Sequence, residues 1–162
     1  MRLTHLDDSG RARMVDVGDK TATRRTAVAE GRVRMSATAF EAVRDQAVAK
    51  GDVLRIAEVA GTQGAKRTSE LIPLCHPLAL DAIRVEATLD EALPGVRVTA
   101  TASAVARTGV EMEALTAVAV ACLTVYDMVK AVDRGMSIEG VMLLNKTGGT
   151  RGDYARPAPK EE

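Results

Sequence analysis

The stretch TGVEMEALTAVAVACLTVYDMVKAV, Thr108 to Val132, decides how the rest of the chain is arranged. It opens on Thr108-x-x-Glu111, the spacing of a capping box, in which hydroxyl and carboxylate satisfy each other's backbone N–H groups. Beyond Glu111 there is no proline and no glycine until Gly135, so the length fits a helix and not a strand. At helical spacing Glu113, Thr116, Ala117, Val120, Thr124 and Asp127 share one stripe, with Lys130 just beyond Asp127. The other side, Leu115, Val118, Cys122, Val125 and Val129, is apolar as well. A helix apolar nearly all round is buried on more than one side, and charges held within it call for a role.

Working outward, the segment before this helix reads as a hairpin. Asp81–Leu89 sets Ile83, Val85, Ala87 and Leu89 against Arg84 and Glu86. Val96–Val105 sets Val98, Ala100, Ala102 and Ala104 against Arg97, Thr99, Thr101 and Ser103, with Pro94-Gly95 as the turn. After the helix, Ile138–Asn145 is a short apolar strand that runs into Lys146-Thr147-Gly148-Gly149. Upstream, Thr23–Met35 alternates Ala27, Ala29, Val33 and Met35 with Arg32 and Arg34, which predicts an edge strand.

Ser36–Ala49 predicts a helix with Phe40, Val43 and Ala47 on one face; Thr38 and Glu41 offer a capping box, with Ser36 as a competing start. Gly51 suits the C′ position of that helix, and Asp52 the N-cap of the next. The next helix covers Val53–Ala60, with Gly61 and Gly64 expected to break it before a further helical piece carrying Lys66, Arg67 and Glu70. LIPLCHPL, Leu71–Leu78, has prolines bracketing Cys75-His76 and reads as a rigid apolar loop. The element order is β-α-β-β-α-β, an α+β domain over residues 21–153 whose sheet carries its helices on one face. Residues 1–20 read as a mobile arm whose one sticky patch is Met14-Val15-Asp16-Val17, and residues 154–162 as a disordered tail.

Bulk composition narrows the function. The chain of 162 residues is 46% hydrophobic, enough for one core. Lys+Arg and Asp+Glu both number 22, so no general attraction to nucleic acid or an anionic membrane follows. Aromatics make up only 2% and Trp is absent, which removes the stacking platform of a single-strand nucleic-acid binder. Cys75 and Cys122, with only His5 and His76 beside them, do not form a zinc-ligand spacing, so no metal site is expected. A reduced cytoplasmic protein is the expectation.

Polar groups gather at element ends: Lys50, Lys66, Arg67, His76 and Lys146, with Asp127 and Lys130 near the end of the long helix. Several lysines and a histidine converging on one pocket suit a polyphosphate. Each has a plainer reading. Lys50 complements a helix dipole, and His76 fits a hydrogen-bonded loop histidine. Asp127 and Lys130 as a surface i,i+3 pair would contribute only ~0.2–0.5 kcal/mol. Their neighbours Val125, Met128 and Val129 instead predict burial of the pair, where it is a poor source of stability. Glu111 has a structural job as the partner of Thr108; Glu113 has none. KTGG lacks the order of a P-loop. Glu113 and Asp127 lie about 21 Å apart along one helix at 1.5 Å per residue, too far for one small pocket. The expectation is a homo-oligomer with sites at or near subunit boundaries.

MVDV (Met14–Val17), AKRT (Ala65–Thr68), LIPLCHPL, TGVEMEALTA (Thr108–Ala117), YDMVKA (Tyr126–Ala131) and KTGG occur in this order, and together they closely resemble the cyclic pyranopterin monophosphate synthase family of molybdenum cofactor biosynthesis. The resemblance spans about Leu3 to Asp153. It implies a ferredoxin-like subunit, a hexamer built as a trimer of dimers, and a small-molecule substrate, (8S)-3′,8-cyclo-7,8-dihydroguanosine 5′-triphosphate. That substrate is rearranged to cyclic pyranopterin monophosphate with release of pyrophosphate. By matching motif, the resemblance makes Asp127 the active-site residue and Lys130 its acid/base partner, with Lys50 beside them. Leu74, Cys75 and His76 line one part of the substrate site, and Met112 and Glu113, with Glu111, another. Lys50, Lys66, Lys146 and Arg25 form the cationic set for the triphosphate. No cofactor is required by this reading, and whether Mg²⁺ accompanies the phosphates is left open. The rivals are a non-catalytic metabolite-binding oligomer and a hydrolase of GTP itself, since fold alone does not decide function.

Overall fold

In the computed structural model, which describes residues 9–150 and 152–158, nine elements follow in order. They are β1 (Thr23–Arg34), α1 (Ala37–Arg44), α2 (Val53–Lys66), α3 (Thr68–Leu71), β2 (Ala82–Asp90), β3 (Gly95–Ala106), α4 (Glu111–Val129), β4 (Ser137–Thr147) and β5 (Tyr154–Ala155). The sheet order is β2-β3-β1-β4-β5, and every pairing is antiparallel. This is the expected α+β, β-α-β-β-α-β chain in a ferredoxin-like arrangement, with β5 added at one edge.

β1 is central and not an edge strand: it pairs with β3 on one side and β4 on the other. Its arginines are tolerated there because carboxylates of β1 itself and of β4 meet them. Arg34 pairs with Glu139 at 3.0 Å, and Glu30 takes both Arg32 and Arg97 at 3.1 Å. The opposite face of β1 and β3 is lined by alanines, with Ala27 facing Ala102 and Ala29 facing Ala100 in register. Small side chains there let α4 lie close to the sheet. At Gly31 a Cβ would sit 2.6 Å from Val118 Cγ1, so that approach requires glycine. Val118, Val125 and Val129 of α4 are fully buried, each contributing about 1.5–3 kcal/mol as an upper bound. By length and composition α4 passes for a membrane span, but its buried residues face α2 and the sheet.

Several local expectations are overturned. α2 does not break at Gly61 or Gly64; it runs through both to Lys66. A Cβ at Gly61 would lie 2.8 Å from the Ala117 carbonyl oxygen, and one at Gly64 2.8 Å from Val120 Cγ2. These glycines are where α2 crosses α4. The Thr108–Glu111 capping box does not form: α4 starts at Glu111 with Val110 at the N-cap and no side-chain cap. In α1 Ser36, not Thr38, is the N-cap, its Oγ accepting from Ala39 N at 3.3 Å. That helix ends at Arg44 rather than Ala49, with Gln46 at φ 53, so Gly51 closes a separate turn. Asp52 caps α2 as expected, accepting from Arg55 N at 3.1 Å. The tail is ordered further than expected: Tyr154–Ala155 pairs with Asn145 and Lys146, and Arg156 N donates to Leu144 O at 2.7 Å. The rest of the expected tail, 159–162, and the start of the expected arm, 1–8, lie outside the described residues.

Candidate active site

A cavity of about 380 Å³ opens where the sequence motifs converge. One wall is the Pro-bracketed loop, through Leu74, Cys75, His76 and Leu78. The β3–α4 junction and the first turn of α4 form another, from Arg107 to Glu113. Lys146 at the end of β4 and the turn through Gly148 and Gly149 form a third, with Arg25 and Thr26 of β1 beneath them. Val15, Val17 and Lys20 of the N-terminal arm complete the lining.

The floor is built around Arg25, which is only 8% exposed and whose Nε donates to Ala106 O at 3.3 Å. Gly148 and Gly149 wrap over it at φ +85 and +92. A Cβ on Gly149 would occupy the guanidinium's place, and one on Gly148 would overlap the Arg24 carbonyl. KTGG thus folds around an arginine. The turn is braced by Gly148 N donating to Asp153 Oδ1 at 3.0 Å and Lys146 Nζ donating to Gly152 O at 2.6 Å. Lys20, Arg25, Arg107 and Lys146 give the cavity a cationic lining.

Across it stand the carboxylates of Glu111 and Glu113. Gly109 leaves room for the Glu111 carboxylate to fold back, since a Cβ there would meet it. Glu113 is 4% exposed, and among the described residues no cation pairs with it. Burial pushes its pKa up against the pull of its own backbone N–H, and Glu111 adds repulsion. The Cys75 thiol is likewise pushed up, by burial first and by Glu113 second. Such a thiol stays protonated and is not an activated nucleophile. His76 Nε2 lies 2.8 Å from Val15 O.

A second cluster sits at the far end of α4. Asp127 Oδ2 takes Lys50 Nζ at 2.6 Å and its Oδ1 takes Lys130 Nζ at 2.7 Å. Lys50 Nζ also donates to the Asp127 carbonyl at 2.9 Å. Hydrogen bonds from Lys130 and then Lys50 lower the Asp127 pKa to about 2. The expected burial of this cluster does not hold within one chain: Asp127, Lys130 and Lys50 side chains are 55%, 51% and 48% exposed. The helical turn that buries Val125, Met128 and Val129 points Asp127 outward.

The structure therefore gathers Leu74, Cys75, His76, Met112, Glu113, Glu111, Arg25 and Lys146 in one cavity, and Asp127, Lys130 and Lys50 in a separate cluster. Lys66, exposed at the end of α2, joins neither. Sequence reasoning passed over Lys20 and Arg107 as cavity cations. Both carried a signal, since Arg107 directly precedes the TGVEMEALTA motif and Lys20 follows MVDV by three residues.

Fold and site together define an α+β domain with ferredoxin-like strand order and a cation-lined cavity at the start of its central helix. The chain belongs to the MoaC family, whose sequence model matches residues 14–149. It is 61% identical over 153 residues to the cyclic pyranopterin monophosphate synthase of Methylobacterium sp. (strain 4-46), covering 94% of this chain and 96% of that protein. It is 60% identical to the protein of that name from Methylobacterium nodulans, covering 96% of this chain and 98% of that one. A Cereibacter sphaeroides protein of the same name is 58% identical with the same coverage.

Proposed function

We propose that this chain converts (8S)-3′,8-cyclo-7,8-dihydroguanosine 5′-triphosphate to cyclic pyranopterin monophosphate with release of pyrophosphate, a step of molybdenum cofactor biosynthesis. The observation that carries the reading is the meeting of Lys20, Arg25, Arg107 and Lys146 with the buried Glu113 in one cavity. Cations fixed in advance suit a triphosphate whose α-phosphorus is attacked as pyrophosphate departs, because negative charge builds up on the leaving pyrophosphate. Glu113 and the uncapped first turn of α4 face the cavity with an acceptor and N–H donors, suited to the ring portion of the ligand.

Ring opening and reclosure need proton transfers, for which Asp127, Lys130 and Lys50 are the candidates. In a lone chain this cluster is poorly tuned for proton transfer, because a carboxylate held at about 2 between two ammonium groups is a weak base at neutral pH. It also stands at the opposite end of α4 from the cavity. Both difficulties lift if the cluster of one subunit completes the cavity of another. Covering the cluster adds to the burial that raises the Asp127 carboxyl against the pull of its two ammonium partners. Exposed Ile56, Val59 and Leu123, on the two helices beside this cluster, supply apolar surface for such a contact. The reading is thus a homo-oligomer; the family resemblance makes it a hexamer, a trimer of dimers, and the cytoplasm is its expected compartment. It needs no resident cofactor, and any Mg²⁺ would arrive with the phosphates.

The test is pyrophosphate release from the cyclic triphosphate by the purified chain. Turnover is expected, with Asp127→Asn and Lys130→Ala each losing at least ~100-fold, the scale of general acid–base catalysis. No pyrophosphate, or near-normal turnover in both variants, refutes the assignment. Turnover of plain GTP instead would move the chain to a nucleotide hydrolase.

A further inference from the structure

The MVDV and LCHP motifs, 61 residues apart in the chain, meet through one hydrogen bond between His76 Nε2 and the Val15 carbonyl at 2.8 Å. We infer that His76 is a positioning residue: it pins the N-terminal arm across the cavity and thereby places the Lys20 ammonium, instead of touching the triphosphate itself. This rests on the cavity being the substrate site.

A carbonyl oxygen only accepts, so Nε2 carries the proton in this bond. That N–H is committed to the arm and is not offered to the ligand. The pin is well founded at one end, because Pro73 and Pro77 stiffen the loop that carries His76. At the other end the arm folds on itself. Gly18 N donates to Asp16 Oδ1 at 2.8 Å and Lys20 N to Val17 O at 3.1 Å, so Lys20 moves as a unit with Val15. The segment then enters β1 at Thr23, which pairs with Ala106 of β3, and from Thr26 onward β4 holds the strand on its other side as well. Residues 15–22 therefore form a strap held at both ends, with Lys20 over the cavity between them. Val15 and Val17 are half-buried and Lys20 is exposed, so the strap has little apolar hold of its own.

The experiment uses the full chain and the variants His76→Ala, His76→Gln, Lys20→Ala and His76→Ala/Lys20→Ala. KM and kcat are read by pyrophosphate release, and amide hydrogen exchange is followed over residues 14–20. His76→Ala is expected to raise KM about tenfold, the scale of one lost hydrogen bond, and to speed exchange across the strap. Lys20→Ala raises KM similarly without speeding exchange, and the double variant is no worse than Lys20→Ala alone. His76→Gln recovers part of the loss, since its side-chain amide donates to the same carbonyl. Effects of His76 and Lys20 that multiply, or strap exchange unchanged in His76→Ala, overturn the inference and make His76 a direct ligand or a loop residue. If the wild-type chain releases no pyrophosphate, the proposed reaction fails, while the exchange comparison still decides the strap.

Discussion

If one subunit's Asp127 cluster serves another's cavity, two separately crippled chains should rescue each other. Lys146→Ala removes a cation from the cavity end, and Asp127→Asn removes the acid at the cluster end. Glu113, in the first turn of α4, and Asp127, in the last, are separated by fourteen residues of unbroken helix, about 21 Å at 1.5 Å per residue. A small ligand does not bridge that distance through direct contacts within one chain. In a two-fold dimer with two shared sites, mixing equal amounts of the variants with full exchange makes half the dimers mixed. Each mixed dimer carries one doubly defective site and one intact site, so activity should recover to about one quarter of wild type. The converse mixture sharpens the result. Equal parts wild type and the double variant Lys146→Ala/Asp127→Asn should retain about one quarter of undiluted wild-type activity, against about one half for sites within single chains. Pyrophosphate release is the assay, with native mass spectrometry to confirm exchange. Mixed dimers showing no more activity than the separate variants would refute the shared site and return the cluster to a surface role.

Three further outcomes follow from the geometry. Gly61→Ala, which in an ordinary helix interior gains up to ~1 kcal/mol, should here lose about 1–3 kcal/mol by overpacking, because its Cβ lands 2.8 Å from the Ala117 carbonyl; a raised Tm would contradict the close crossing of α2 and α4. Asp127, lowered to about 2, should remain ionised well below the ordinary 3.8 when its carboxyl carbon is followed by NMR. Its stabilising pairs are fully present above the unfolded value and fade as pH falls from 3.8 toward 2; Lys50→Met with Lys130→Met should return the titration toward 3.8. Glu113 has the opposite sign. Burial favours its protonated form, so the fold is best served below its ordinary 4.5 and loses stability as pH rises through the raised value. Glu113→Gln should therefore raise Tm at neutral pH and flatten its pH dependence; an unchanged profile in a Tm-versus-pH series would show that the carboxylate is well solvated.

Much of the fold was legible because its signals are local. The two-residue alternation of Ala27, Ala29 and Val33, and of Val98, Ala100 and Ala102, marks strands wherever they end up in the sheet. The unbroken run after Glu111 marks a helix whatever it packs on, and Asp52 caps α2 through bonds to its own neighbours. Chemistry-bearing stretches were also visible one by one, since LCHP, GVEME and KTGG are unusual as strings.

What remained hidden depends on groups distant in sequence. β1 reads as an edge strand because its arginines look solvated, until Glu139 of β4 is placed beside Arg34. Gly61 and Gly64 read as breaks because propensity knows nothing of Ala117 and Val120 pressing on the same helix face. Thr108 reads as a cap, yet the chain enters α4 along the cavity wall with Val110 at the N-cap and no side-chain cap. The sequence by itself determined which segments are strands and helices and which residue types were at hand for chemistry, since both follow from short-range periodicity and side-chain identity. Only the tertiary structure decided that the arm, β1, the Pro-bracketed loop, α4 and the KTGG turn share one cavity while Asp127 faces away from it. Such placements come from packing, which brings residues as far apart as Val15 and Thr150 to line one cavity and which no local pattern records.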